Sequence, residues 1–430
     1  MAPALGLDFG TTNTVVARAE GGGKTHSMPF TSAAGVTDTM RTALSFMKDP
    51  LMGAQALKVE AGQAAIRQFI DNPGDCRFLQ SIKTFAASTL FQGTLIHARR
   101  HRFEDLMEVF LRRLAGYAGE AWPSEISRIV VGRPVRFAGA SPDETLAIER
   151  YTAALTRLGF PEIHYVYEPV AAAHYFARDL TRDATVLVAD FGGGTTDYSL
   201  IRFEREAGQL RATPIGHSGV GIAGDQFDAR IIEHLVAPEI GKGSRFRSFD
   251  KVLDVPSNYY TSFSRWNQLS IFKGSKEFTD LKSLVRSALE PEKLELFIDL
   301  VEHDEGYPLY QAVSATKMAL SGADEAEFSF APLASAGRKT VRRHDFESWI
   351  ADDLARMEKA LDDVLTRTKT SAAGIDKVFL TGGTSFVPAV RDIFIHRFGT
   401  EKIESGGELL SIAHGLALIG EGEDLAQWAA

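Results

Sequence analysis

The stretch Val186–Leu200, VLVADFGGGTTDYSL, constrains the fold more than any other part of the chain. It opens with a continuous apolar run, Val186-Leu187-Val188-Ala189, of the kind found in a buried strand. Asp190 stands where that strand should emerge, and Gly192, Gly193 and Gly194 lead to Thr195, Thr196 and a second acid, Asp197. Tyr198–Phe203 then reads as a returning strand. Such a unit can hold a phosphate, because glycines let backbone N–H groups approach an anion closely. The acid can hold a hydrated Mg²⁺. An ordinary hairpin with a glycine-rich turn fits the same letters.

The unit occurs twice. Ala4–Phe9 reads as a strand ending at Asp8, Gly10-Thr11-Thr12-Asn13 as a turn, and Thr14–Ala19 as the returning strand, with a third at Thr25–Phe30. Asp-Phe-Gly followed by hydroxyls therefore stands near the start and near the middle, which points to an internal repeat. Two such halves facing each other would bring two phosphate turns and two acids onto one ligand.

The remaining pattern supports two similar halves. In the first, the spacing predicts helices over Ala54–Asp71, Arg102–Ala121 and Pro142–Leu158, the last with Ser141 as N-cap. Ile126–Val131 and Ile163–Tyr167 read as strands, and Glu168-Pro169 opens a helix, where the missing N–H of proline costs little. In the second, strands are expected at Thr185–Asp190, Tyr198–Phe203, Leu210–Ile215, Ala326–Phe330 and Lys377–Leu380. Helices are expected at Phe227–Val236, Leu309–Leu320, Arg343–Thr368, Val387–Phe398 and Leu409–Ile419, with a helical insertion between. Thr31–Pro50 and Gly241–Asn258 read as irregular, and Thr181–Asp183 as a hinge.

At 430 residues the chain is long enough for two or three domains. Its net charge of −9 argues against a nucleic-acid partner. A single cysteine, Cys76, offers neither a disulfide framework nor a metal cluster. With no signal-like N-terminus and no apolar run of membrane-spanning length, the expectation is a soluble cytoplasmic protein with no membrane partner.

Two further residues complete a possible phosphate site. Glu168 lies at a strand end, where it can orient an attacking water or help hold a metal. Lys83 stands in a nearly uncharged segment and can neutralise charge on a transferred γ-phosphoryl group. The usual Gly-x-x-x-x-Gly-Lys-Ser/Thr loop is not found, and Gly219–Gly224 matches a dinucleotide pattern only by letter.

Taken in order, these motifs resemble the ATPase domain of the DnaK-type heat-shock chaperones, within the actin-like ATPase superfamily, and among them the short YegD-like homologues. Gly6–Thr14 resembles that family's first phosphate loop and Val188–Asp197 its second; Glu168–Ala173 resembles its connecting segment. Gly224–Asp228 resembles its Gly-x-x-Phe-Asp turn, and Phe379–Pro388 its adenosine loop. The resemblance implies an α/β fold of two RNase H-like domains, 1–182 and 183–430, with a nucleotide cleft between them and insertions at about 31–110 and 226–308.

It also implies ATP or ADP with Mg²⁺ as ligands. Gly10, Thr11, Thr12, Asn13, Gly192, Gly193, Gly194 and Thr195 would contact phosphate, and Asp8 and Asp190 would hold the metal through water. Lys83, Glu168, Asp190 and Thr195 form the implied catalytic set. Gly224, Lys317, Ser321, Gly382, Gly383 and Thr384 would bind the nucleoside. The sequence departs from the family at Ser314, Met318 and Phe386, and the segment after Lys83, Thr84–Ala87, lacks the usual basic pattern.

The expected function is thus a slow, chaperone-like ATPase acting as a nucleotide switch for an unidentified client or co-chaperone. No peptide-binding domain is expected before the last residue, Ala430. A small-molecule (sugar) kinase of the same superfamily, with Asp197 or Asp225 as base, and a non-catalytic nucleotide-sensing module are the alternatives.

Overall fold

The computed structural model describes residues 3–428, except 34, 50, 52–55, 73–74, 140, 178–179, 181, 207–208, 265–268, 304, 405–406, 408, 423–424 and 426–427. The chain forms two compact units. One comprises Met1–Ala223, Arg356–Ser385 and Val390–Ala430; the other comprises Gly224–Ala355 and Phe386–Ala389.

The first unit is mixed α/β and is built on two sheets of one design. In the first sheet β1 (Ala4–Phe9), β2 (Asn13–Gly21) and β3 (Lys24–Ser27) follow one another antiparallel. β4 (Arg128–Arg133) and β5 (Ile163–Tyr167) then add in parallel on the other side of β1. In the second sheet β6 (Ala184–Phe191), β7 (Thr196–Glu206) and β8 (Gln209–Val220) are again antiparallel. β9 (Lys377–Thr381) and β10 (Ile403–Glu404) add in parallel beyond β6. The duplicated Asp-Phe-Gly segment therefore marks a repeat of the whole five-strand order. β1 and β6 are central in their sheets and buried along most of their length, which is why their sequences run apolar instead of alternating.

Helices cover these sheets. α1 spans Gly62–Asp71, α2 Phe103–Ala118, α3 Glu144–Arg157, α4 Glu168–Ala177 and α5 Ser411–Glu421. Phe9 of β1 packs with Phe110 of α2 and Tyr151 of α3 in one core. A second core joins the two sheets through Val130, Val166, Val186 and Val188, with the alanines of α4 and Leu416 of α5. The run Ala171-Ala172-Ala173 is fully buried. Its small side chains let the α4 backbone meet α5 directly, for a Cβ at Gly415 would stand 1.8 Å from the Ala171 carbonyl oxygen. Gly415→Ala is therefore expected to destabilise the fold by about 1–3 kcal/mol, read as a lower urea midpoint. An unchanged midpoint would contradict this close approach.

Several local expectations are corrected. Thr31–Pro50 is not irregular: it contains short strands and Ala43–Lys48, which pairs with Leu57–Ala61 and Cys76–Gln80. The helix expected over Ala54–Asp71 begins only at Gly62, because Leu57–Ala61 is taken up by that sheet; residues 54 and 55 lie outside the described ones. Asp143, not Ser141, caps α3, its carboxylate accepting from Leu146 N–H at 3.0 Å. The helix expected over Arg343–Thr368 is two, Arg343–Trp349 and Ala351–Thr368, parted at Ile350. Gly241–Asn258 holds a hairpin, Arg245–Ser248 with Lys251–Asp254. Of the expected hinge, residue 181 lies outside the described ones.

The second unit is mostly helical, from Gly224–Leu235 through Gly306–Gly322, with the hairpin Glu325–Ser329 and Arg338–Arg342. A bidentate Arg230–Asp353 pair, at 2.8 and 3.2 Å, ties Gly224–Leu235 to the first turn of Ala351–Thr368, with the carboxylate fully buried. Among the described residues no helix is long and apolar enough to cross a membrane.

Candidate functional site

The two central strands end at matching points. In the first hairpin Asp8 opposes Val15 and Phe9 opposes Thr14. In the second Asp190 opposes Asp197 and Phe191 opposes Thr196. Between them the turns are held by specific bonds. Thr42 donates its N–H to Thr12 O at 2.9 Å and its hydroxyl to Gly10 O at 2.7 Å. Gly192 N–H donates to Thr195 O at 2.9 Å, and the Thr196 hydroxyl to Ile222 O at 2.7 Å. Thr11, Thr12 and Asn13 are half-buried in the first turn; Gly192 and Gly194 are exposed in the second. Gly194, Thr195 and Asp197 border a cavity of about 830 Å³ that Val135, Phe137 and Gly221 also line.

Lys83 and Glu168 meet although they are far apart in sequence. Lys83 lies in the 3₁₀ turn Ile82–Phe85 and is 9% exposed; Glu168 is the first residue of α4 and is 6% exposed. Lys83 Nζ donates to Glu168 Oε1 at 2.6 Å, a short charge-assisted bond. β5 ends at Tyr167 and Pro169 starts the helix, so Glu168 is fixed where strand becomes helix.

The surrounding charges do not balance. Withdrawal from solvent, then the Glu168 and Asp190 charges, push the Asp8 carboxyl well above the usual range, with Lys83 pulling the other way. Asp190 is pushed up to about 6 by desolvation and Glu168, although the Thr381 hydroxyl donates to its Oδ1 at 2.7 Å. Asp197 is pushed up to about 7 by desolvation, then by Asp190 and Glu168. Burial opposes the charge on Lys83, but Glu168, Tyr151 and Asp8 together hold it above its ordinary value. One ammonium thus stands among four carboxyls, Asp8, Glu168, Asp190 and Asp197.

The sign of the resulting pH dependence follows. Folded Asp190 and Asp197 bind protons more tightly than unfolded aspartates, whose pKa is about 4. Their stabilising contribution is complete below about pH 4 and is lost as pH rises through the folded values. Urea midpoints of the ligand-free protein are expected to fall between pH 5 and pH 7.5, and less steeply in Asp197→Asn. Identical slopes in the two proteins would contradict this.

The residues expected at the nucleoside lie in both units. In the second, Lys317 Nζ donates to Gly224 O at 3.1 Å and pairs with the buried Asp228 at 2.7 Å; Ser321 donates to Lys317 O at 3.2 Å. Gly224, Lys317 and Ser321 are therefore together, and Met318 beside them is 72% exposed. In the first unit, Gly382 lies directly against β6: it has φ +82°, and a Cβ there would meet Phe191 O at 2.0 Å. Gly383 and Thr384 follow in a 3₁₀ turn, with Thr384 buried. Among the described residues no group of three or more His, Cys, Asp or Glu side chains is arranged to cage a metal.

Sequence reasoning missed Thr381 as the partner of Asp190. The available signal was its place at the end of β9, level with Asp190 at the end of β6. It also missed Tyr151, fully buried on α3 within electrostatic reach of Lys83, Glu168 and Asp8; nothing in a helical tyrosine marks such a place.

The family model described as Hsp70 protein matches residues 82–246 and 282–421. "Chaperone protein dnaK" of Cyanidioschyzon merolae (strain NIES-3377 / 10D) is 24% identical over 440 residues, covering 97% of this chain and 61% of that protein. "Chaperone protein DnaK" of Mycoplasmopsis synoviae (strain 53) is 25% identical over 405 residues, covering 93% of this chain and 55% of that protein. The chain spans 55–61% of the length of these curated relatives.

Proposed function

The chain belongs to the Hsp70 family, and from that premise we propose that it is an ATP-binding, chaperone-type protein that hydrolyses ATP slowly to ADP and phosphate. The observation that carries this reading is the buried Lys83–Glu168 bond at 2.6 Å, set among the raised acids Asp8, Asp190 and Asp197 of two matching hairpins.

The donor chemistry fits a hard, hydrated cation: the acids offer only oxygen, and their charge is under-compensated. Asp8 and Asp190 would hold Mg²⁺ through its waters, and the ion when bound supplies charge neutralisation at the phosphates. Backbone N–H groups and hydroxyls of the Gly10–Asn13 and Gly192–Thr195 turns bind the phosphates, the Gly192 N–H excepted, since it closes its turn on Thr195 O. Glu168, anchored by Lys83, orients the attacking water, and Lys83 donates to the γ-phosphoryl oxygens as charge builds there. Gly224, Lys317, Ser321, Gly382, Gly383 and Thr384 take the nucleoside.

In this reading the chain forms two RNase H-like domains, 1–182 and 183–430, with insertions at about 31–110 and 226–308. ATP closes the cleft between them, and hydrolysis with product release reopens it as a switch for a protein partner in the cytoplasm. The partner is a client or co-chaperone, not a nucleic acid or a membrane. Phosphate release from ATP is the test: release in Mg²⁺ that stops in chelator supports the reading. Equal release in both, or bound ATP that stays intact, contradicts it. A sugar or polyol that accelerates ADP formation would point to the kinase.

A further inference from the structure

The turn that carries Lys83 is held from outside by one side chain, Arg150 of α3. Its Nη1 donates to three backbone carbonyls, Phe85 O at 2.9 Å, Ala86 O at 2.8 Å and Ser88 O at 3.1 Å. Its Nη2 donates to a fourth, Phe91 O, at 2.8 Å. All four acceptors lie in the segment that starts at the last residue of the 3₁₀ turn Ile82–Phe85. The turn itself is closed by Ala86 N–H to Lys83 O at 3.0 Å and Thr84 N–H to Ser81 O at 3.0 Å, with Ser81 in the left-handed region at φ 51°. The N-cap of α3 makes a fifth bridge, Asp143 N–H to Ala87 O at 2.9 Å.

A guanidinium suits this task. It presents five N–H donors in a rigid planar fork, while an ammonium offers three from a single point. The next residue on α3, Tyr151, is stacked on Phe103 and set edge-on to Phe9, the neighbour of Asp8. One helix therefore grips the lysine turn with Arg150 and the core under the first phosphate hairpin with Tyr151. Lys83 must reach Glu168 at 2.6 Å, and the carbonyls bound by Arg150 fix where its turn ends and how the chain leaves it.

We propose that Arg150 is a positioning residue for Lys83: it holds the segment 85–91, which ends and follows the lysine turn, so that the ammonium stands at the reacting phosphoryl group. The inference rests on the ATPase reading above. Arg150→Ala is expected to lower kcat for ATP hydrolysis about 10- to 100-fold, as a displacement near 1 Å does, with ATP affinity within about 2-fold. Arg150→Lys should recover only part of kcat, and millimolar guanidinium should raise the rate of Arg150→Ala but not that of Lys83→Ala. Amide exchange should accelerate at residues 82–91 and stay unchanged in α2. Guanidinium rescue separates positioning from general loosening of the fold, and Arg150→Lys serves if the alanine variant does not fold. Wild-type turnover with unchanged kcat in both Arg150 variants overturns the proposal, as does a parallel loss of kcat and affinity without rescue. If the wild type itself hydrolyses no ATP, the ATPase reading fails. The exchange measurement then decides whether Arg150 holds the turn: faster exchange confined to 82–91 supports it, and unchanged exchange overturns it.

Discussion

Replacing Lys83 with alanine is expected to lower ATP turnover by about 10²–10³-fold, the usual cost of removing one preorganised donor to transition-state charge. Nucleotide affinity should change far less, because the turns at Gly10–Asn13 and Gly192–Thr195 and the nucleoside residues are untouched. The substitution also has a structural consequence. Glu168 is 6% exposed, and Lys83 is the cation bonded to it. Removing one partner of a buried pair typically costs about 3–5 kcal/mol, so the ligand-free variant should unfold at lower urea. That loss should shrink as pH falls and the neighbouring Asp190 and Asp197, which burial and nearby carboxylates push up to about 6 and about 7, take up protons. Single-turnover kinetics and equilibrium nucleotide binding, measured on the same preparation, separate the two effects. Equal losses in rate and affinity would remove Lys83 from its catalytic role.

Asp190→Asn has a different signature. The Thr381 hydroxyl donates to Asp190 Oδ1 at 2.7 Å, and an asparagine oxygen can accept the same bond. The local geometry should therefore survive while the charge is lost. Groups that hold a metal through its waters typically contribute 10- to 100-fold to its affinity, so Mg²⁺-dependent nucleotide binding should weaken by about that factor. Ligand-free stability should hold or rise, because one of several mutually repelling carboxyls is gone. A fluorescent ADP analogue titrated at several Mg²⁺ concentrations reads the effect. If the variant keeps the wild-type Mg²⁺ dependence, Asp190 is not part of the cation site.

What could be read from the letters follows from the range of the forces involved. The two hairpins were legible because strand, acid and glycine turn are contiguous and occur twice. The repeat then extends to a shared five-strand order in the two sheets, to which the first adds the short strand Met40–Arg41. Glu168 was legible because Pro169 marks a helix start directly after a strand. Lys83 was legible only as a cation in a nearly uncharged segment; its pairing with Glu168 was not, because the partner is 85 residues away. Thr381 and Arg150 were invisible for the same reason, since their bonds to Asp190 and to the 85–91 carbonyls exist only once distant segments have packed. The misread helix at Ala54–Asp71 shows tertiary pairing overriding local periodicity. Leu57–Ala61 had the letters for either state, and Ala43–Lys48 was there to pair with it.

The central claim is that two phosphate hairpins and their under-compensated acids form one Mg²⁺-dependent nucleotide site. Calorimetric titration of the wild-type protein with ATP, in Mg²⁺ and in chelator, tests it most directly. The expected result is saturable binding at one site per chain in Mg²⁺ that weakens strongly in chelator. Heats that show no saturable binding in Mg²⁺, or the same affinity with and without the metal, would contradict it.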